Sequence, residues 1–494
     1  MKRIFLVFSL LALVLVATNA KSASLRAYLS HAAFYSPESG PYLETYLTIS
    51  GKSVQYVKNE NGKFQGTVMI TMLFKQNDSI RDFRKYNLHT AELDDTTQIN
   101  FNLFDQQRIS IPAGNYNLEL EIADKNCETP PFKATDEVSI RFDNNDISIS
   151  DIQLVESSSK ATETSLVAKS GYDLIPYQDS FYPEDNKKIN FYAEIYNAAT
   201  KLGNESQFVV AVSLQSIETG NPIENFFRVK RETASQVNVV YQEFDISELP
   251  SGNYNLAISI RDKENKEIAS KRMFVQRSNP GVKFNTGTLQ NISIANTFAS
   301  QFNNPDTLRE FIRMSFPIAT ANEKLFIRFN LKDSELSTMQ QFFYAFWSQR
   351  NPANPEESWS KYYNTVLGVE KEFGSIYKKG YETDRGRVYL QYGPPNHRNV
   401  EPINPVTFPY EIWHYYAANE QTNLKFVFYT RDRALNDYLL AHSTALGEVK
   451  NENWQFEIKR GGAAAGDTDK DLYNRAYDED QFGEYTGDYY NIRR

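Results

Sequence analysis

The chain has 494 residues, a formal charge of −9, 41% hydrophobic residues and a single cysteine. That length accommodates roughly three domains, and the acidic balance argues against an electrostatic grip on nucleic acid. One cysteine and five histidines rule out a disulfide framework and leave little for a metal centre, so no metal or other cofactor is expected.

Lys2 and Arg3 precede an apolar run from Ile4 to Ala17, and Thr18-Asn19-Ala20 follows. These are the parts of a secretory signal peptide over residues 1–20. The run is shorter than the about 20 residues that a spanning helix needs. No later stretch is apolar enough to span, so the expectation is an exported chain with no transmembrane segment, periplasmic or outer-membrane-associated. Cys127, in the polar run Lys125-Asn126-Cys127-Glu128, is expected to have no role.

Tyrosine and phenylalanine (31 and 33) far outnumber tryptophan (4), and such residues suit half-buried strands. An internal repeat organises them. Ile111-Pro112-Ala113-Gly114-Asn115-Tyr116-Asn117-Leu118 recurs as Leu249-Pro250-Ser251-Gly252-Asn253-Tyr254-Asn255-Leu256, and each continues in alternation to Asp124-Lys125 or Asp262-Lys263. Pro-x-Gly-Asn is a turn signal, and the alternation after it is that of a strand with one buried face. Earlier in each copy, Phe34-Tyr35-Ser36-Pro37-Glu38 is echoed by Phe181-Tyr182-Pro183-Glu184, followed by alternating strands at Tyr42–Leu47 and Ile189–Tyr196. Two β-sandwiches are therefore expected, over residues 21–143 and 146–278. The Gly-Asn-Tyr-Asn-Leu strand resembles the penultimate strand of immunoglobulin-like domains in bacterial envelope proteins, which implies a spacer or docking module more than a ligand-binding one.

Beyond residue 278 the period changes. Residues 279–317 read as a helical connector, with a helix start at Pro305-Asp306-Thr307 and Leu308, Phe311 and Ile312 on one face. A helix capped by Asp333-Ser334 carries Leu336, Met339, Phe342, Phe343 and Phe346, and stops at Asn351-Pro352. The next carries Trp359, Tyr362, Tyr363, Val366 and Phe373 and ends at Gly374. Both stripes read as core faces. Turn residues then bracket Arg385–Tyr392, which reads as a strand with Val388, Leu390 and Tyr392 facing one way and Arg387, Tyr389 and Gln391 the other. Pro409–Tyr416 alternates again, and Lys425–Tyr429 reads as a strand buried on both faces.

Residues 318–458 resemble the GWxTD domain of exported proteins from Bacteroidetes and related envelopes. The resemblance rests on Phe346-Trp347-Ser348-Gln349-Arg350-Asn351-Pro352, the Tyr362-Tyr363 helix, Gly380–Asp384, Arg385-Gly386-Arg387-Val388-Tyr389, Gly393-Pro394-Pro395, Tyr410-Glu411-Ile412-Trp413 and Phe426-Val427-Phe428. Tyr381 stands where the namesake tryptophan usually sits, and Asn351 where an aspartate commonly follows the arginine. The resemblance implies a mixed α+β domain and no established enzymatic activity. A looser likeness, through strand, Gly-Pro-Pro turn and Trp-x-Tyr strand, runs to small lipoproteins of the outer-membrane barrel-assembly machinery, where such a fold is a docking scaffold. The expected fold is thus multidomain, β-rich plus α+β: two tandem immunoglobulin-like β-sandwiches followed by a mixed α+β GWxTD domain.

The residues that could carry chemistry are Gly380, Tyr381, Thr383, Asp384, Arg385, Arg387, Tyr389, Glu411, Trp413 and His414, with His397 in a polar loop after Pro395, expected to be exposed. Asp384-Arg385 could be a substrate-binding pair or a base with its electrostatic partner. The plainer reading is that Thr383 and Asp384 accept turn amides while an arginine pairs with Asp384 or Glu411. Alternation puts Glu411, Trp413 and Tyr415 on one side and Ile412, His414 and Tyr416 on the other. No HExxH, nucleophile elbow, P-loop or dinucleotide fingerprint occurs, so structural polar groups are expected and no catalytic or metal residue is assigned.

Residues 459–494 form an acidic tail, jointed at Gly461-Gly462-Ala463-Ala464-Ala465-Gly466. From Gly461 onward it holds eight acids against four bases, a net of −4. Nearly free of aliphatic residues, it should be disordered alone, with Tyr473, Tyr477, Tyr485, Tyr489 and Tyr490 as anchors for a partner. Together these features point to a non-enzymatic scaffold or interaction subunit of a cell-envelope complex, its partners envelope proteins such as outer-membrane complex subunits. One alternative is a glycan-binding protein stacking aromatic rings on sugars; another is a hydrolase around Asp384, Arg385 and His414.

Overall fold

The computed structural model describes residues 25–460 apart from 144, 162–167 and 170. The expected signal peptide, and the tail with Tyr473, Tyr477, Tyr485, Tyr489 and Tyr490, lie outside the described residues. The chain divides into two units, the first made of Met1–Gln178, Phe191–Glu205 and Ala234–Tyr241, the second of Asp179–Asn190, Ser206–Thr233 and Gln242–Arg494.

In the first unit the principal strands of the N-terminal repeat are β1 (Ala27–Ser36), β2 (Gly40–Ser50), β3 (Phe64–Gln76), β4 (Ser79–His89), β5 (Asn102–Ser110), β6 (Gly114–Asp124) and β7 (Phe132–Ile140). One antiparallel sheet runs β1-β2-β5 and another β4-β3-β6-β7. Strand alternation puts Val68, Ile70, Met72 and Phe74 of β3 and Tyr116, Leu118, Leu120 and Ile122 of β6 into one core with Leu43, Leu47 and Ile49 of β2.

The second repeat supplies β8 (Gln153–Lys160), β9 (Tyr172–Pro176), β10 (Lys188–Tyr196), β11 (Gln207–Ser216), β12 (Pro222–Thr233), β13 (Val237–Asp245), β14 (Gly252–Arg261) and β15 (Glu267–Arg277). Its sheets run Ala168–Lys169, β9, β8, β10, β13 and Phe181–Tyr182, β15, β14, β11, β12. The order β12-β11-β14-β15 repeats β4-β3-β6-β7, and β8-β10-β13 repeats β1-β2-β5, so the sequence repeat is a repeat of topology. The recurring Pro-x-Gly-Asn-Tyr has one physical job in both copies. Tyr116 Oη donates to the Pro112 carbonyl at 2.9 Å and Tyr254 Oη to the Pro250 carbonyl at 2.8 Å, a tyrosine corner that ties each strand's start to its turn.

The rest of the second unit carries α1 (Pro305–Met314), α2 (Leu336–Arg350), α3 (Pro355–Phe373), α4 (Asp384–Tyr392) and an antiparallel sheet β16 (His397–Glu401), β17 (Tyr410–Ala418), β18 (Gln421–Tyr429), β19 (Leu439–Ser443). Asn304 caps α1 by accepting from the Asp306 and Thr307 amides. Leu308 and Ile312 of α1 share a core with Phe342, Phe343, Phe346 and Trp347 of α2 and Trp359 of α3. A second core joins Val366 and Phe373 of α3 to Tyr381, Val388, Leu390, Trp413, Phe426 and Phe428. No helix among the described residues is long and apolar enough to cross a membrane.

Three expectations need correction. Arg385–Tyr392 is a helix, not a strand. Thr383 caps it and Gly393, at φ 81°, ends it, while packing on α3 overrides the β preference of Val388, Tyr389 and Tyr392. Thus Arg387, Tyr389 and Gln391 do not share a sheet face. Second, the cap of α2 lies one residue beyond the expected Asp333-Ser334: Glu335 holds the cap position without a side-chain bond, and the Ser334 hydroxyl turns back to the Asn330 carbonyl. Third, His397 is not in an exposed loop; half-buried, it opens β16 opposite His414 of β17.

Candidate functional site

The motif residues gather where α3, α4 and the β16–β19 sheet meet in the second unit. Two glycines let backbones touch. A Cβ on Gly386 would fall 1.9 Å from the Gly380 carbonyl oxygen, and one on Gly380 would fall 2.6 Å from both Glu370 Cα and the Val369 carbonyl oxygen. Only glycine fits such approaches. Between them the Thr383 hydroxyl donates to the Gly380 carbonyl at 2.8 Å and accepts from the Gly386 amide at 3.0 Å. Tyr381 is buried and its hydroxyl donates to Glu310 at 2.9 Å; burial and that carboxylate push its pKa well up.

Glu411 is the hub. It is 2% exposed and accepts from Arg385 Nη1 (2.7 Å), Arg398 Nε and Nη2 (2.9 and 3.1 Å) and Trp413 Nε1 (2.9 Å). Those bonds occupy the acceptor capacity of one carboxylate. Arg385, 3% exposed, also donates from Nη2 to the Asn436 carbonyl (2.9 Å) and Oδ1 (2.6 Å), and its guanidinium lies over the Tyr438 and Phe373 rings at 3.9 and 5.0 Å. Burial pulls its pKa down, while two carboxylates, Glu411 and Glu372, hold that of Arg398 up.

The remaining motif residues are equally committed. Asp384 accepts from the Leu440 amide at 2.8 Å. Arg387 grips Glu448 through two bonds of 2.7 and 2.8 Å, and Tyr389 packs its ring on Phe373 and Trp413. His414 Nε2 meets Asn423 Oδ1 at 2.8 Å, on the other side of β17 from Glu411. Asp384, Arg385 and His414 therefore form no common catalytic constellation. Further along the motif, Arg350 holds both Glu323 oxygens at 2.9 and 2.8 Å. Asn351 bridges its loop to Ser358 and the Asn354 amide, work that needs no acid. Trp347, Trp359 and Trp413 are buried and offer no platform to a sugar. Among the described residues no three His, Cys, Asp or Glu side chains gather to hold a metal ion.

What this network holds still is a surface turn. Asn436, in the left-handed region at φ 51°, donates from Nδ2 to the Glu372 and Gly374 carbonyls at 3.1 and 3.2 Å, so Arg385 reaches the end of α3 through it. Just beyond, Ser375 Oγ accepts from the Tyr377 and Lys378 amides, and Lys378 pairs with Asp437 at 3.1 Å. The turn presents Ile376 at 89% exposure and Tyr377 at 76%, with Lys371 and Lys379 exposed on either side. Sequence reasoning missed Asn436, Ile376 and Tyr377; two apolar residues inside Gly374-Ser375-Ile376-Tyr377-Lys378-Lys379-Gly380 were the available signal.

The first unit holds a separate buried cluster that sequence reasoning also missed. Tyr42-Leu43-Glu44-Thr45-Tyr46 on β2 and Tyr192-Ala193-Glu194-Ile195-Tyr196 on β10 are one Tyr-x-Glu-x-Tyr motif, repeated. Tyr46 donates to Glu44 at 2.6 Å, and Tyr192 and Tyr196 both donate to Glu194 at 2.5 Å. Glu44, fully buried, also accepts from Arg108 (2.6 Å) and pairs with Lys169 (2.8 Å). The Lys169 ammonium sits 3.3 Å from the Phe34 ring centroid and donates to Gln153 at 2.7 Å; burial pulls its pKa down to about 8 against the pull of Glu44.

Compared with known protein families, residues 283–459 match the GWxTD domain, a span that includes α1 and all of the motif geometry above. No curated protein matches the chain.

Proposed function

Because the chain is a GWxTD domain-containing protein, we propose that it is a non-enzymatic scaffold or interaction subunit of a cell-envelope complex, exported by way of residues 1–20, whose GWxTD domain docks an envelope partner through Ile376 and Tyr377. One observation carries this reading: the motif's charged groups are paired internally, and the Glu411–Arg385 pair reaches, through Asn436, the start of the turn that presents those two side chains to water. Catalysis needs a group free to take or give a proton, and Glu411 has no acceptor to spare. Exposed apolar anchors that are already ordered bind at low entropic cost. The flanking lysines select a partner whose apolar pocket is edged by acidic groups.

The test is affinity purification of the tagged chain from gently solubilised envelopes, beside an Ile376→Asp/Tyr377→Ala variant. The expected result is loss of a co-purifying envelope protein from the variant, with its tryptophan-monitored unfolding unchanged. A wild-type chain that elutes alone from a native sizing column, or a variant that retains every partner, overturns the proposal.

A further inference from the structure

A cleft of about 390 Å³ opens in the second unit between the β11–β12 hairpin, the Pro250 turn and the short helix Ala321–Leu325, a volume within the range of small-molecule sites. Its walls are built in advance. Tyr254 fixes the Pro250 turn through its corner bond. The hairpin closes on itself through Ser216 N to the Asn221 carbonyl (3.0 Å) and Gly220 N to the Ser216 carbonyl (2.8 Å). Thr320 and Glu323 cap the helix reciprocally. Gly252 lies so close to that helix that a Cβ would meet Ala321 Cβ at 2.6 Å.

The lining is polar and apolar in equal measure and nearly uncharged. Asn221, Asn322 and Gln349 bring side-chain amides, Glu224 is the one charged side chain in it, and Pro222 and Pro250 supply apolar faces. Among the described residues, none of those side-chain amides, nor the Glu224 carboxylate, has a hydrogen-bond partner elsewhere in the protein. Phosphate or carboxylate ligands would find no cation here and would face Glu224. Lipid tails and large aromatic ligands would strand the amides without partners. Planar amides, each offering donors and an acceptor, match the adjacent hydroxyls of a sugar ring, and prolines suit its C–H face.

We propose that this cleft binds a neutral saccharide unit. It shares no residue with the Ile376–Tyr377 turn and does not rest on the docking reading. The full chain is titrated with maltotriose and chitotriose by calorimetry and saturation-transfer NMR. The expected result is binding of one of them at or below about 1 mM, weakened at least about tenfold in Asn221→Ala/Gln349→Ala without a change in thermal unfolding. Galacturonic acid is expected to be rejected by the wild-type chain and admitted by Glu224→Gln. No binding of either trisaccharide up to about 10 mM, equal binding by the double variant, or equal competition from trialanine overturns the inference.

Discussion

Replacing Glu411 by glutamine tests whether one carboxylate holds the GWxTD domain together. The change keeps size and one oxygen, but swaps the other for an NH2 group facing guanidinium donors. Arg385 is 3% exposed, so its charge loses its counter-ion out of reach of water; breaking such a pair costs about 3–5 kcal/mol. The half-exposed Arg398 keeps Glu372 and solvent, so it adds little. The Asn436 bonds and the Tyr438 ring remain for Arg385, which places the expectation near the lower end, at about 3 kcal/mol. The assay is selective, because Trp347, Trp359, Trp413 and Trp454 are the chain's four tryptophans and all lie in residues 283–459. Urea unfolding followed by tryptophan emission therefore reports this domain and neither sandwich. In the double variant Arg385→Met/Glu411→Gln the stranded charge is gone, and stability is expected to recover above that of Glu411→Gln alone. A loss below about 1 kcal/mol in the single variant, or strict additivity in the double, would refute the reasoning.

Gly386→Ala should destabilise the same domain by about 3 kcal/mol in that assay, despite alanine's better helix propensity, because the new methyl meets the Gly380 carbonyl rather than a movable side chain. Tyr116→Phe and Tyr254→Phe should each cost about 1–2 kcal/mol, read as a shift of the urea midpoint by circular dichroism, since each leaves a proline carbonyl without its donor. Lys169 has a folded pKa of about 8, below its ordinary value of 10.5. The unfolded chain therefore binds this proton first as pH falls, so its contribution to stability is present above about 10.5 and lost as pH drops to about 8. The wild-type chain should gain stability relative to Lys169→Met as pH is raised from about 8 to 10, measured by urea unfolding at each pH; a flat difference would count against the burial of that ammonium.

The repeat was legible because a tyrosine corner needs a fixed spacing: Pro112 to Tyr116 and Pro250 to Tyr254 announce the same bond twice. The aromatic helices were legible because Phe342, Phe343, Phe346 and Trp359 fall at helical steps and are buried there. Helix α4 was not, since Val388, Leu390 and Tyr392 alternate by accident of a short helix that buries residues on two sides. Thr383 and Gly393 read as turns bracketing a strand, whereas they are the two caps of a helix. Of the plainer reading of the motif, the pairing of Arg385 with Glu411 is present, whereas the amides that Thr383 and Asp384 accept, those of Gly386 and Leu440, belong to helix α4 and strand β19 rather than to a turn. The Glu44–Lys169–Glu194 cluster escaped notice because its members are far apart in the chain and only strand pairing gathers them. Repetition of Tyr-x-Glu-x-Tyr was the signal present but unread.

The order of assembly follows from how the first unit is threaded. It takes Phe191–Glu205 and Ala234–Tyr241 from beyond a stretch that belongs to its neighbour. A chain emerging from its N-terminus cannot finish this unit until residue 241 has arrived, however complete the first sandwich looks at residue 140. Glu44 and Lys169 wait for Glu194 and its two tyrosines until residue 196 has arrived, and the strand that Ala234–Tyr241 contributes is missing for longer still. Long-range closure of this kind is slow and leaves strand edges exposed in the interim. A pulse of protease during refolding should accordingly find residues 25–178 vulnerable for as long as 191–241 are, with protection of both arriving in one step.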